Sequence, residues 1–267
     1  MIIAVTGAGG FLGRALTREL LERGHTPVPY DLPGCDIRGT CTFGAARHVI
    51  HLAGMLGTAE LFDQVTEALT VNVVGTANVL EAARRGGAGY TGITMPHVFP
   101  SIYTASKIAA REVERAYHHA YQMPMSRVRA FNAYGPGQKH GPGHPQKIVP
   151  TFAAEAWAGR PIPIWGDGEQ TVDLIHAADL ARLLADATAF TDDCTIDGGT
   201  RTPLTVNQVA GMVLAITGSR AGVAHHPMRR GEIPAKIAAA GAGWDRLTWW
   251  PVFDEQRFAE TVEWYRP

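Results

Sequence analysis

Tyr103 and Lys107 stand four residues apart in Tyr103-Thr-Ala-Ser-Lys107, a spacing that sets a phenol and an amine on one face if the segment is helical. A free tyrosine titrates near pH 10. Using it as a general acid/base near neutrality asks for a shift of about 3 units, or roughly 4 kcal/mol of selective stabilisation of the phenolate. Pro100-Ser101 just upstream reads as a helix start, and the helical pattern runs to about Tyr121. The bland alternative is an aromatic–lysine pair on a helix surface. A second motif upstream tells against it.

That motif is Thr6-Gly-Ala-Gly-Gly-Phe-Leu-Gly13, with Gly7, Gly10 and Gly13 three apart between a short apolar run, Ile2–Val5, and Leu12, Leu16 and Leu20 at four-residue spacing. Glycine there permits a tight turn, close approach of backbone to a pyrophosphate, and close packing of the helix. Phe11 and Leu12 open that helix and share its positive N-terminal end. A second strand, Thr26–Tyr30, ends at Asp31. Its carboxylate would accept hydrogen bonds from ribose hydroxyls and repel a 2′-phosphate, which predicts NAD rather than NADP. The alternatives are a plain strand-to-helix turn and an Asp opening the turn before Pro33-Gly34.

The elements that position these groups alternate. A third apolar run covers His48–Ala53, and a long helical pattern runs from about Ala59 to Arg85. Strands alternating with helices predict a parallel sheet. From Asn132 to Trp165 the chain turns rich in Gly, Pro, His and Lys, and four of the six tryptophans lie beyond Ala221. The expected organisation is a nucleotide domain over 1–133, with returning segments near 170–198, and a smaller lobe over 134–267. Trp157, Trp249, Trp250 and Trp264 are expected to pack that lobe or its seam.

Composition narrows the function. The 267 residues are 46% hydrophobic, and 24 Lys and Arg against 25 Asp and Glu leave a net charge of -1. No global positive field exists to gather nucleic acid. Cys35, Cys41 and Cys194 are odd in number and fit no zinc or CxxC spacing, which suits a reducing compartment, and the cytoplasm is the default expectation. Ile2–Val5 already reads as a strand, and no apolar run approaches the roughly 20 residues of a membrane span. His140 and His144 sit among Gly and Pro, and no metal is expected.

Together the glycine loop, Asp31 and the Tyr103/Lys107 pair resemble the extended short-chain dehydrogenase/reductase family, the NAD-dependent sugar epimerases and dehydratases that include UDP-glucose 4-epimerase. The likeness covers nearly the whole chain. His51-Leu52-Ala53-Gly54 resembles the family's strand end beside the cofactor, and the segment from Asn72 to Ala83 resembles its NVxGTxNLLEAA helix, which implies that Asn72 is a cofactor contact. Asp36 and Ile37 resemble the acidic–apolar pair that lies against adenine. Arg129 to Pro136 is similar to RxxNxYGP, whose Asn, here Asn132, commonly contacts the sugar nucleotide's phosphate. Trp165 to Asp179 resembles GDGxQxRDFxxVxD, and Arg229 to Glu232 resembles RxGD. The resemblance implies a Rossmann-type doubly wound parallel sheet with a smaller C-terminal substrate lobe. It also implies NAD as cofactor, a nucleotide-sugar substrate linked to UDP or dTDP, and a homodimer paired through helices at about 59–85 and 104–121.

Two departures shape the expected activity. Val172 stands where the family usually carries an Arg that grips the diphosphate, leaving Arg229, Lys139 or Lys147 to compensate. The family's hydroxyl before the catalytic Tyr falls on Thr94, with Thr91 and Ser101 behind it. Thr94 would bind the substrate oxygen together with Tyr103. Family dehydratases follow that hydroxyl with an Asp-Glu pair, but here Met95-Pro96 follows. Elimination is thereby disfavoured. The leading expectation is epimerisation at C4 through a transient 4-keto intermediate. The alternatives are a ketoreductase or dehydrogenase using the same residues and, less favoured, a dehydratase or a non-catalytic dinucleotide-binding protein.

Overall fold

In the computed structural model, which describes residues 1–141 and 143–267, strands and helices alternate from the first residues. β1 (Ile2–Thr6) leads through the glycine turn into α1 (Phe11–Glu22), followed by β2 (Thr26–Tyr30) and β3 (His48–His51). A 3₁₀ turn at Ala59–Leu61 precedes α2 (Val65–Leu69), α3 (Gly75–Arg85), β4 (Gly89–Thr94), α4 (Ile102–Tyr121) and β5 (Met125–Ala130). Then come β6 (Asn132–Tyr134), α5 (Ile148–Trp157), β7 (Ile162–Trp165), β8 (Thr171–His176), α6 (Ala177–Ala187) and β9 (Asp192–Gly198). The last elements are β10 (Pro203–Thr205), α7 (Val206–Thr217), β11 (Val223–His226) and α8 (Glu255–Trp264).

Six strands form the main sheet in the order β2-β1-β3-β4-β5-β9, and every pairing in it is parallel. The chain steps outward from β1 to β2, then returns to the other side of β1 with β3. The connections diverge there, leaving a crevice at the carboxyl ends of β1 and β3. Side-chain alternation feeds two cores. Ile3 and Val5 pack with Leu16, Leu20, Leu180 and Leu184 on one face, while Ala4 and Val49 pack with Val79, Leu80 and Ala83 on the other. Each buried Val, Leu or Ile side chain contributes about 1.5–3 kcal/mol, enough to fix which loops meet at the crevice.

A third core, with Phe152, Ile164, Leu174, Val209 and Phe258, lies under two small sheets, β10-β8-β6 and β11-β7. Val172 belongs to this core. β6 continues almost directly from β5 and so carries the chain from the main sheet into this second layer.

The structure corrects two expectations. The helix expected over 59–85 is broken: a 3₁₀ turn ends at Leu61 and the helix proper starts at Val65, with a π-turn over Thr70–Val74. That wider turn carries Asn72, whose side chain is committed to long-range hydrogen bonds described below. Of the four tryptophans, Trp157 and Trp249 pack as expected, donating to Val262 O and Asp186 Oδ2. Trp250 and Trp264 are instead 58% and 56% exposed.

Candidate active site

The glycine turn follows from sterics. Gly7 has φ +71, and a Cβ there would sit 2.7 Å from Ala53 N. At Gly13 a Cβ would meet Gly7 O at 2.2 Å. Gly10 donates to Gly7 O at 3.0 Å and closes the loop. The first-turn N–H groups of α1, beginning at Phe11 and Leu12, have no intrahelical acceptors. They open on a cleft of about 810 Å³ whose walls include Gly7, Gly10, Phe11, Leu12 and Gly13. A bare backbone at the positive end of a helix is a cradle for a pyrophosphate.

Asp31 lines the same cleft. Its Oδ2 accepts from Gly9 N at 2.7 Å and its Oδ1 from Leu32 N at 2.9 Å, so the carboxylate is aimed by the loop it faces. Farther along, Asp36 is gripped by Arg38 at 2.6 Å, and the Arg38 guanidinium holds the Asp36 carboxyl below its usual range. Ile37 is buried and packs on Gly75. Leu52, Ala53 and Gly54 form the wall at the end of β3. A dinucleotide fits these surroundings: anion donors at one end, ribose acceptors at the rim, and an apolar slot beyond.

Asn72 stands apart from the other cofactor candidates. It lies behind the wall rather than in it: Oδ1 accepts from Met55 N at 2.8 Å, and Nδ2 donates to Met55 O at 3.0 Å and Ser106 Oγ at 2.9 Å. Its amide is spent on fastening the 53–56 loop to α4. A second chain meets it there. The Thr76 hydroxyl donates its only proton to Asn72 O at 2.7 Å and so accepts from His51 Nε2 at 3.1 Å; His51 Nδ1 in turn accepts from the Thr6 hydroxyl at 2.6 Å, which also accepts from Ala53 N. This direction fixes the neutral Nε2–H tautomer. Burial pushes the His51 imidazole down to about 3, helped by the charge of Lys107.

Ser101 caps α4, its Oγ accepting from Thr104 N at 3.0 Å, and the helix carries Tyr103 and Lys107 into the cleft. Thr94, the last residue of β4, lines the same cleft. Thr91 points the other way, its hydroxyl engaged with His48 Nε2 at 2.8 Å and Ser126 Oγ at 2.9 Å. Of the three hydroxyl candidates, Thr94 lines this cleft with Tyr103, Ser101 lines a second cavity with it, and Thr91 lines neither. Burial pushes the Tyr103 phenol up to about 12 and pushes the Lys107 amine down, with the Glu114 carboxylate opposing. The fold therefore works against phenolate formation, and the compensating positive charge has to come from groups gathered at the phenol.

Tyr103 also lines a second cavity of about 340 Å³, bounded by Asn132, Lys147, Arg229, Trp165, Glu60 and Glu232 among others. Asn132 and Lys147 face both cavities. Burial lowers the Lys147 amine, with Glu60 opposing and Arg229 reinforcing. Arg229 is committed to Glu232 and also donates to Gln146 Oε1 at 3.3 Å. Lys139 is exposed and belongs to neither cavity. Glu60 carried no sequence signal. Burial would raise its carboxyl, but backbone N–H groups of Glu60, Thr58 and Gln146 and the charge of Arg229 hold it below the usual range.

Fold and site define a dinucleotide-binding α/β protein with a phenol–amine pair where two cavities meet. The profile of the NAD dependent epimerase/dehydratase family matches residues 3–193, and the chain belongs to that family. It is 26% identical over 98% of its length to UDP-glucose 4-epimerase of Mycolicibacterium smegmatis, covering 97% of that protein. It is 28% identical over 98% of its length to dTDP-glucose 4,6-dehydratase of Xanthomonas campestris pv. campestris, covering 92%. Among solved structures, UDP-glucose 4-epimerase of Thermotoga maritima with UDP-glucose superposes with a TM-score of 0.88 at 23% identity, over 100% of this chain and 99% of that one.

Proposed function

We propose that this chain is an NAD-dependent epimerase of a nucleotide sugar linked to UDP or dTDP, acting at C4 through a transient 4-keto intermediate. The observation that carries the reading is the position of Tyr103, where the cofactor cleft and the second cavity share a wall. Residues 1–133 with the returning segments near 170–198 would hold the dinucleotide, and the lobe over 134–267 the sugar nucleotide.

The Tyr103 phenolate takes the proton of the substrate hydroxyl, while the Thr94 hydroxyl holds the same oxygen as it becomes carbonyl-like. Lys107, one helical turn below, stabilises the phenolate. Bound NAD supplies the acceptor to which the carbon's hydride goes and from which it returns. Asn132 and Lys147 hold the diphosphate and let the ketone turn over between the two transfers. Returning the proton from Tyr103 closes the cycle.

Elimination needs a carboxylic acid beside the sugar. Met95-Pro96 follows Thr94, and Glu60, a carboxylate of the second cavity, is held ionised by backbone donors. One observation favours a second reading, a ketoreductase or dehydrogenase on a sugar or related small molecule. Val172 is buried in the lobe's core at the position where the family's diphosphate-gripping Arg is expected. Pairing of two copies through the helical segments at about 59–85 and 104–121 is part of the proposal: Val74, in the π-turn before α3, and Tyr121, at the end of α4, are 49% and 53% exposed and remain to be covered. Among the described residues no helix is long and apolar enough to cross a membrane, and three free thiols fit a cytoplasmic setting.

The test is to denature freshly purified protein and quantify released NAD(H) and nucleotide sugar by mass spectrometry. Near one NAD(H) per chain is expected, together with C4 inversion of UDP-glucose without net redox change. Tyr103→Phe should keep the cofactor and lose turnover. An empty protein that consumes added NADH against a carbonyl substrate would replace this reading with the reductase.

A further inference from the structure

Cys35 and Cys41 lie six residues apart on the segment after β2, with their Sγ atoms 3.9 Å apart. Cys35 is half-buried and lines the dinucleotide cleft, whereas Cys41 is buried against the sheet. Between them run Asp36 and Ile37, which face the same cleft. We propose that Cys35 and Cys41 are a reversible disulfide site in the cleft wall, and that closing it loosens the bound dinucleotide. The second half rests on the NAD reading above.

The geometry says which thiol moves. A disulfide needs its sulfurs about 2.0 Å apart, so the pair must close by about 1.9 Å. Ile37 cannot follow, because a Cβ placed on Gly75 would already lie 2.8 Å from its Cδ1 and its carbonyl is held by Asn78 Nδ2 at 2.9 Å. Cys41 sits in packed core beside Phe43. Cys35, on the open side, is free to swing. Its N–H donates to Asp31 O at 2.9 Å, and the Asp31 carboxylate holds Gly9 N at 2.7 Å. Drawing Cys35 inward therefore pulls on the turn that aims Asp31 and on the glycine loop beyond it.

A small-molecule disulfide supplies the oxidation. The Cys35 thiolate attacks one sulfur of glutathione disulfide, whose S–S bond breaks to release one glutathione thiolate. Cys41 then loses its proton to water and attacks the Cys35 sulfur of the mixed disulfide, expelling the second glutathione. Two cysteine thiols are oxidised and one external disulfide is reduced to two thiols. Burial, with the neighbouring Cys35 adding to it, pushes the Cys41 thiol up to about 12, which suits it to the slow resolving step rather than the first attack.

The purified chain, stripped of cofactor, would be incubated with glutathione disulfide, and its intact mass and non-reduced peptide map compared with the reduced form. The expected result is loss of two hydrogens and one cross-linked Cys35–Cys41 peptide, with Cys194 outside it. NAD affinity by titration calorimetry should fall at least fivefold on oxidation and return with dithiothreitol. Cys35→Ser should show no such mass loss, and its NAD affinity should no longer respond to oxidant. A stable glutathione adduct with no bridge, or a bridge with unchanged NAD affinity, overturns the proposal. The mass result is independent of NAD. Failure to bridge leaves the epimerase reading standing, and a reduced chain that binds no NAD defeats both that reading and the second half of this one.

Discussion

Acid should destabilise this protein through its buried imidazoles, His48 and His51 foremost, before its carboxylates titrate. His48 is buried with its Nε2 on Thr91 Oγ1 at 2.8 Å, and burial pushes it down to about 4. His51, between Thr6 and Thr76, is pushed down to about 3. Both are freely protonated in the unfolded chain near pH 6.5. The folded pKa values are the lower ones, so the unfolded state binds more protons as pH falls. Stability is fully present above about pH 6.5 and is lost progressively down toward pH 4 and 3. At pH 5 each histidine costs about 2 kcal/mol relative to pH 7.5, and the two together about 4 kcal/mol. The assay is urea unfolding of the cofactor-free chain at pH 7.5, 6.5, 5.5 and 5.0, where these two rings should supply about 2.7 kcal/mol per pH unit at the acid end, with the partly buried His176, pushed down to about 4 by burial and by the charge of Arg257, steepening the slope further. His48→Gln should be less stable at pH 7.5 and should lower that slope by about 1.4 kcal/mol per pH unit. A stability change under about 1 kcal/mol between pH 7.5 and 5.0 would refute the buried, neutral state of both rings.

Gly13→Ala should destabilise by about 3 kcal/mol or more and abolish NAD retention, because its Cβ would meet Gly7 O at 2.2 Å and Ala8 Cα at 2.6 Å, both rigid backbone. Gly24→Ala, at φ +73 with open space around it, should cost only about 1 kcal/mol in a thermal melt. Asp31→Ala should weaken NAD binding and narrow the preference over NADP in competitive titrations, since it removes the 2′-OH acceptor and frees Gly9 N together; unchanged discrimination would take Asp31 out of that role. Lys147→Met should raise KM for the sugar nucleotide about 10–100-fold with a smaller effect on kcat, the measure of one charge-assisted phosphate contact. An unchanged KM would move the diphosphate away from Lys147.

Much of the site is legible in the sequence itself. The glycine turn is written in the absence of side chains at Gly7 and Gly13. Ser101 announces the start of α4, and helical periodicity alone sets Tyr103 and Lys107 on one face. Such features involve residues a turn or two apart, so local chemistry determines them. The sequence likewise encodes that Thr91 and Thr94, three apart on a strand, face opposite ways, but not which of them faces the cleft.

That choice, and everything joining distant segments, belongs to the tertiary structure. Only the order β2-β1-β3-β4 turns Thr91 toward His48 and leaves Thr94 in the wall of the cleft that Tyr103 also lines. Asn72 resembled a cofactor contact in sequence, yet the π-turn and the loop at Met55 draw its amide behind the wall. Glu60 enters the second cavity without a motif because a 3₁₀ turn from the first half of the chain packs beside Gln146 from the second. Trp250 and Trp264 stay half-exposed because hydrophobicity says what favours burial, while the space available in a packed core decides what obtains it.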